Sequence, residues 1–146
     1  MTERQILIEE IARDEGTGPM VRGRHLPYTD TVGKTTIGYG RNLTDTGLSS
    51  REAFTLLEHD VDEAIADLSA TYSWFARLDG VRQRALVNMR FQLGATGLRR
   101  FKATLAAIAS GDYVQAGDHM QASLWARQVP TRASRIIRMM KTGSVL

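Results

Sequence analysis

The sequence predicts an α+β fold that is mostly helical, with a small β-hairpin lobe near the N-terminus and a larger helical lobe joined to it by a long helix. Apolar residues recur at helical spacing before residue 16 and again after residue 49. Between these regions, residues 16–47 hold seven glycines and two prolines. The length of 146 residues fits one ordinary domain, so we expect a single domain over 1–146.

The first helix is predicted over about residues 3–15. Thr2 and Gln5 have the spacing of a capping box, and Gly16 ends the helical pattern. Its apolar stripe consists of Leu7, Ile8 and Ile11.

The β-rich lobe is predicted over about residues 16–47. Its glycines and prolines indicate turns, and the β-forming residues lie late in the segment. Those residues are Thr35, Thr36, Ile37 and Tyr39. We therefore expect a small twisted hairpin sheet with long turns.

A long connecting helix is predicted over about residues 50–69, where Ser49 and Ser50 supply the N-cap. The apolar stripe runs for about five turns. It comprises Ala53, Leu56, Leu57, Val61, Ala64, Ile65 and Leu68.

The helical lobe is predicted over about residues 70–146, completed by residues 1–15. Residues 81–93 carry apolar side chains on all faces, which indicates a largely buried helix, and shorter helices are predicted at about 98–109, 112–121 and 131–141. A cleft between the two lobes is the natural place for a ligand.

The composition excludes several kinds of chemistry. Without cysteine there is no disulfide, thiolate nucleophile or cysteine-ligated zinc, and His25, His59 and His119 show no metal-binding spacing. We therefore expect neither a metal nor a cofactor.

The formal net charge of +3 favours polyanionic targets without choosing among them. No apolar run approaches the roughly 20 residues of a membrane span, and no signal peptide is recognisable, so we expect synthesis in the cytoplasm without membrane insertion.

Asp14 and Glu15 lie in the last turn of the first helix, where the helix dipole disfavours negative charge. Such a conflict with a local rule is typical of functional sites when cations offset it. Arg132 and Arg135, three residues apart on a predicted helix, are the candidate partners. Taken alone, the two acidic residues are better explained as solvated helix-end residues.

The next segment carries a specific resemblance. Residues 28–44 read YTDTVGKTTIGYGRNLT and follow Arg13-Asp14-Glu15-Gly16. This pattern resembles the active-site signature of the bacteriophage-type (T-even phage-like) lysozymes and endolysins. The similarity continues through residues 60–62, the segment NMRFQLG at 88–94, Trp125 and residues 130–133. It implies a lysozyme-like fold and an enzyme that cuts the glycan of bacterial peptidoglycan, made in the host cytoplasm and reaching the wall after holin-type release. We expect a monomer, because no apolar stripe is left over once the two lobes are packed.

The resemblance also implies catalytic roles. Glu15 matches the family's general acid, and Asp30 and Thr36 match the residues that hold the attacking water, which gives inversion at the sugar carbon. Glycoside hydrolysis needs this pair of carboxyl groups on opposite faces of the scissile bond.

By the same resemblance, Asn42 in the β-rich lobe and four residues of the helical lobe match substrate contacts: Phe91, Gln92, Thr104 and His119. From the residues alone, Phe91 is as well explained by core packing and His119 by a solvated helix face. Gly38 and Gly40 either let a sugar ring approach the backbone or form a tight twist. Trp125 is expected to pack inside the helical lobe.

Two features depart from the family pattern. Fourteen residues separate Glu15 from Asp30, so the loop Thr17 to Pro27 is an insertion, and its Arg22, Arg24 and His25 either contact acidic peptide stems or form a solvated turn. Arg41 stands where several members carry histidine, and we expect it to pair with Asp60 on the long helix.

Two rival functions remain open on the sequence. Five basic residues near the C-terminus are also typical of a polyanion binder or a membrane-disturbing helix: Arg127, Arg132, Arg135, Arg138 and Lys141. A helix packed by its apolar side, with its arginines in water or paired to Asp14 and Glu15, explains them better. A lytic transglycosylase would use the same glutamic acid but form an anhydro sugar, and Asp30 and Thr36 favour hydrolysis. We expect no nucleic-acid partner.

Overall fold

The computed structural model describes residues 1–146, which divide into two compact units, residues 1–55 and residues 56–146. The first contains helix α1, five short β-strands and the start of α2, and the second contains the rest of α2 and helices α3 to α7. The mostly helical α+β class predicted from the sequence is confirmed.

Helix α1 (Glu3–Glu15) has the predicted bounds and the predicted capping box. Thr2 Oγ1 accepts a hydrogen bond from the Gln5 backbone N–H, and the Gln5 side chain accepts one from the Thr2 backbone N–H. None of its residues is buried. The helix belongs to the first unit, and its predicted role in completing the helical lobe concerns the arrangement of the units and stays a prediction.

The β-rich segment forms two small antiparallel sheets. Strands β1 (Met20–Val21) and β2 (Arg24–His25) form a hairpin, and β3 (Tyr28–Thr29), β4 (Thr35–Ile37) and β5 (Arg41–Asn42) form a sheet with β4 in the middle. In the register of this second sheet, Thr36 lies opposite both Tyr28 and Asn42. Thr36, at 4% exposure, is the one buried residue of the first unit.

The helices of the second unit follow the predicted order with two additions. They are α2 (Ser50–Thr71), α3 (Gly80–Arg99), α4 (Lys102–Ala109), α5 (Tyr113–Gln121), α6 (Leu124–Gln128) and α7 (Pro130–Thr142). Neither α6 nor a 3-10 helix at Phe75–Arg77 was predicted, because three to five residues are too few to show a helical period. At Gly94 the backbone leaves helical geometry (φ 74°, ψ 171°), yet helical structure resumes directly after it.

The hydrophobic core of the second unit accounts for the apolar residues of the basic C-terminal helix. Its largest fully buried apolar side chains are Leu68, Leu86, Met89, Leu98, Ile108, Met120, Ile136 and Met140. Helix α7 buries its apolar side in this core and keeps Arg135 and Arg138 exposed, as expected for a packed helix of the domain. Its apolar side is therefore not available to a membrane, and no helix has the length and apolar character to cross one.

Candidate active site

Glu15 is the last residue of α1, and its carboxylate lies against the backbone of Gly40. A β-carbon built on Gly40 would stand 2.8 Å from Glu15 Oε2. Gly40 also has φ +80°, a conformation that favours glycine. The glycine at this position thus makes room for the Glu15 carboxylate. This differs from both interpretations of Gly40 made from the sequence, which were the close approach of a sugar ring and a tight twist of the backbone.

Asp30 follows β3 and is fixed by the turn that leads to β4. Its Oδ1 accepts hydrogen bonds from the backbone N–H groups of Val32 (2.9 Å) and Lys34 (2.8 Å). Its own N–H donates to the carbonyl of Lys34 at 2.8 Å. Because both amides use Oδ1, the second carboxylate oxygen is left to accept a hydrogen bond from another group.

Thr36 and Asp30 are linked through the carbonyl group of Lys34. Its Oγ1 lies 3.2 Å from the Lys34 carbonyl oxygen, which also accepts from the Asp30 N–H. A carbonyl oxygen only accepts, so the hydroxyl of Thr36 donates here and keeps its lone pairs free to accept. The structure therefore brings Asp30 and Thr36 together around Lys34, while Glu15 contacts the loop at the other end of β4.

Asn42, predicted as a substrate contact, faces Thr36 across the sheet but is held by its own turn. Its amide nitrogen donates to Asp45 Oδ2 at 3.1 Å, and its amide oxygen accepts from the Asp45 N–H at 2.9 Å. Lys34 Nζ contacts the other oxygen of Asp45 at 3.1 Å. Asn42 thus stabilises the turn after β5, and its contact with substrate stays a prediction.

Arg41 has an ionic partner, Glu52, that was not predicted. Its guanidinium contacts Glu52 Oε2 at 2.5 Å within the first unit. Asp60 belongs to the second unit, and its expected pair with Arg41 stays a prediction. Glu52 is available because it sits in the first turn of α2, where it forms a capping box with Ser49. The hydrogen bond from Arg41, with those from Ser49, lowers the pKa of Glu52 to about 2. The sequence carried a signal for Glu52 in the Ser49-x-x-Glu52 spacing.

The predicted cationic partners of the acidic pair lie in the second unit. Arg132 donates from Nε to Asn88 Oδ1 at 2.8 Å and from a terminal nitrogen to the Asn88 carbonyl at 3.4 Å. Arg135 is exposed on α7, and Asp14 is exposed on α1. Pairs of Asp14 or Glu15 with these arginines would join the two units and stay predictions.

Phe91 and Gln92 have distinct surroundings on α3. Phe91 is 41% exposed, so the core-packing explanation is wrong, and its ring borders an apolar groove of about 390 Å³ together with Val61 and Val87. Gln92 Oε1 accepts a hydrogen bond from Trp125 Nε1 at 3.0 Å. Trp125 is buried and packs edge-on against Phe101, as expected.

Thr104 and His119 line one pocket of the second unit, of about 470 Å³. Thr104 is 1% exposed and His119 is exposed, so the first lies at the bottom of the pocket and the second at its rim. Phe101 and Trp125 supply aromatic walls, and Arg100 and Lys102 add positive charge. The structure thus brings two of the predicted substrate contacts into one pocket, and their binding role stays a prediction.

The chain combines a unit of short β-strands that carries Glu15 and Asp30 with a mostly helical unit, a combination typical of a lysozyme-like α+β protein. Residues 21–136 match the family model described as phage lysozyme. The chain is 31% identical to Probable T4-type lysozyme 2 of Dictyostelium discoideum, an alignment that covers 81% of this chain and 86% of that protein.

Two other relatives are similar over part of their length. Probable T4-type lysozyme 1 of Dictyostelium discoideum is 30% identical, with 67% of this chain and 59% of that protein aligned. The Pre-baseplate central spike protein Gp5 of Enterobacteria phage T4 is 30% identical over 95% of this chain, which spans 28% of that protein. The chain belongs to the phage lysozyme family and is a lysozyme-type glycosidase.

Proposed function

We propose that this protein is a muramidase that hydrolyses the β-1,4 bond between N-acetylmuramic acid and N-acetylglucosamine in bacterial peptidoglycan, with inversion. The observation that carries the proposal is the hydrogen-bonded turn that holds Asp30 beside Thr36 on the sheet whose loop contacts Glu15. Inverting hydrolysis requires one group to protonate the leaving oxygen and another to activate water on the opposite face.

Glu15 is the general acid in this mechanism. It donates its proton to O4 of N-acetylglucosamine as the bond from that oxygen to C1 of N-acetylmuramic acid breaks. Gly40 leaves the space that the carboxyl group occupies, since a β-carbon there would lie 2.8 Å from Oε2.

Asp30 and Thr36 hold the attacking water. A water molecule has two hydrogens, one for the free Asp30 oxygen and one for the Thr36 oxygen, whose own proton is used on the Lys34 carbonyl. Both hydrogens are then engaged, and the water oxygen presents a lone pair to the sugar carbon. As the new C–O bond forms, Asp30 takes up the proton that the water loses.

The Glu15→Gln variant tests the proposal, because it replaces the acid by an isosteric amide without a transferable proton. Glu10→Gln is the matched control, since Glu10 is an exposed glutamate on the same helix. Clearing of outer-membrane-permeabilised Gram-negative cells is measured at equal folded concentration. We expect Glu15→Gln to lose at least a hundredfold in rate and Glu10→Gln to clear like the wild type.

Two results would contradict the proposal. Equal clearing by Glu15→Gln and wild type would assign lysis to the basic surface instead of to catalysis. Release of anhydro-muramic ends instead of reducing ends would identify a lytic transglycosylase, in which the water held by Asp30 and Thr36 has no role.

A further inference from the structure

The β1–β2 hairpin (Met20–His25) is anchored beside the proposed general acid. His25 Nδ1 donates to the carbonyl oxygen of Thr17 at 3.2 Å, two residues after Glu15. The His25 ring also packs on the ring of Tyr39, with 5.4 Å between centroids. Tyr39 precedes Gly40, next to which the Glu15 carboxylate lies. Both contacts therefore hold the hairpin next to Glu15.

Arg22 lies at the tip of this hairpin in an unusual backbone conformation. It is the one non-glycine residue of the chain with a positive φ, 52°, and it is followed by Gly23 with φ 73°. Val21 pairs with Arg24, so Arg22 and Gly23 form a two-residue turn of the type that favours Asn-Gly. Arginine is not the residue that the turn itself prefers, and such outliers concentrate at functional positions.

The guanidinium of Arg22 is exposed and has no ion pair or hydrogen bond in the structure. Other arginines are engaged: Arg41 with Glu52, Arg90 with Asp67, and Arg132 with Asn88. A guanidinium binds carboxylates through two parallel hydrogen bonds. Arg22 thus presents an available carboxylate-binding group at the end of a fixed arm.

We propose that the β1–β2 hairpin is a second substrate-binding element, in which Arg22 binds a carboxylate of the peptide stems of peptidoglycan. This inference rests on the proposed function, because the stems are attached to the glycan that Glu15 would cut. His25 pairs with Met20, so Arg22 lies two residues beyond the anchor, roughly 7 Å along the hairpin. An extended stem covers a similar distance from the sugar in about two residues.

The test compares Arg22→Asn with Arg4→Gln, each in a Glu15→Gln background that does not cut the wall. Arg4 is an exposed arginine on α1, so the control removes the same charge from the same unit. Binding is measured by co-sedimentation with Gram-negative sacculi, either untreated or with their carboxyl groups converted to amides. The thermal midpoint of each variant is recorded, since Asn-Gly suits the turn and Arg22→Asn should not lower it.

We expect Arg22→Asn to weaken binding to untreated sacculi about two- to fivefold, and to lose that effect in high salt. Arg4→Gln should bind like its parent, and Arg22→Asn should equal its parent on amidated sacculi. Unchanged binding of Arg22→Asn to untreated sacculi would overturn the proposal, as would an equal loss on amidated sacculi. If the wild type releases no reducing ends, the proposed function fails, while the sedimentation comparison still decides the role of the hairpin.

Discussion

Replacement of Gly40 by alanine should reduce activity far more than stability. The new β-carbon would stand 2.8 Å from Glu15 Oε2, whereas ordinary van der Waals contact begins at 3.4 Å, so the carboxylate must move by at least about 0.6 Å. The end of a glutamate side chain moves at little cost, so the clash is relieved by displacing the acid. A misplacement of about 1 Å costs on the order of a hundredfold in rate, and we expect a ten- to hundredfold loss here.

Gly111→Ala is the matched control for backbone strain. Gly111 has φ +81°, almost the same as the +80° of Gly40, and a β-carbon there meets nothing within 4 Å. The two variants should carry the same local backbone strain, about 1–2 kcal/mol, because alanine is strained at positive φ. Only Gly40→Ala should lose activity.

The assay is wall clearing at equal folded concentration, combined with kcat and KM on soluble glycan fragments. A displaced acid lowers kcat, whereas a β-carbon that obstructs a sugar ring raises KM. The reasoning is refuted if Gly40→Ala clears as fast as Gly111→Ala, or if its loss lies entirely in KM.

Two further predictions concern the ion pairs Arg41–Glu52 and Arg90–Asp67. Arg41→Gln should raise the pKa of Glu52 from about 2 toward 4.5 without reaching 4.5, because Ser49 still donates hydrogen bonds to Glu52. NMR titration of the Glu52 carboxyl group measures this pKa, and an unchanged value would contradict the prediction. Asp67→Asn should cost about 1 kcal/mol of unfolding free energy at pH 7, because the hydrogen bond from Arg90 lowers the pKa of Asp67. That stability is lost as the pH falls through the pKa of Asp67 in the folded protein, which lies below the usual 3.8. The difference in unfolding free energy between wild type and Asp67→Asn, measured with urea, should therefore be smaller at pH 2 than at pH 7. Asp62→Asn, which changes an exposed aspartate, should show no such pH-dependent difference.

The helical elements were predictable because their apolar periodicity is strong. The bounds of α1 and the start of α2 follow from capping residues and are the same in sequence and structure. The 3-10 helix at Phe75–Arg77 and α6 escaped prediction because a single turn leaves no period to detect. The division of residues 16–47 into two sheets also went unpredicted, since strands of two or three residues show no alternation.

The candidate site was predictable by residue and less so by contact. Glu15, Asp30 and Thr36 stand out through the motif, but the motif gives no indication that the Lys34 peptide joins the last two. The contact of Arg132 with Asn88 spans 44 positions of sequence, and no local pattern reports such a pair. Glu52 is different, because its capping-box spacing with Ser49 was visible and its use as the partner of Arg41 was not.

The two units differ in what holds them together, and this difference bears on the site. In residues 1–55 Thr36 is the one buried residue, so turns and backbone hydrogen bonds set the geometry there. The apolar core lies in residues 56–146. Local elements with few buried apolar contacts contribute little to global stability. Substitutions around Asp30, Thr36 and Gly40 should therefore act first on the alignment of catalytic groups, because the core that determines global unfolding contains none of them.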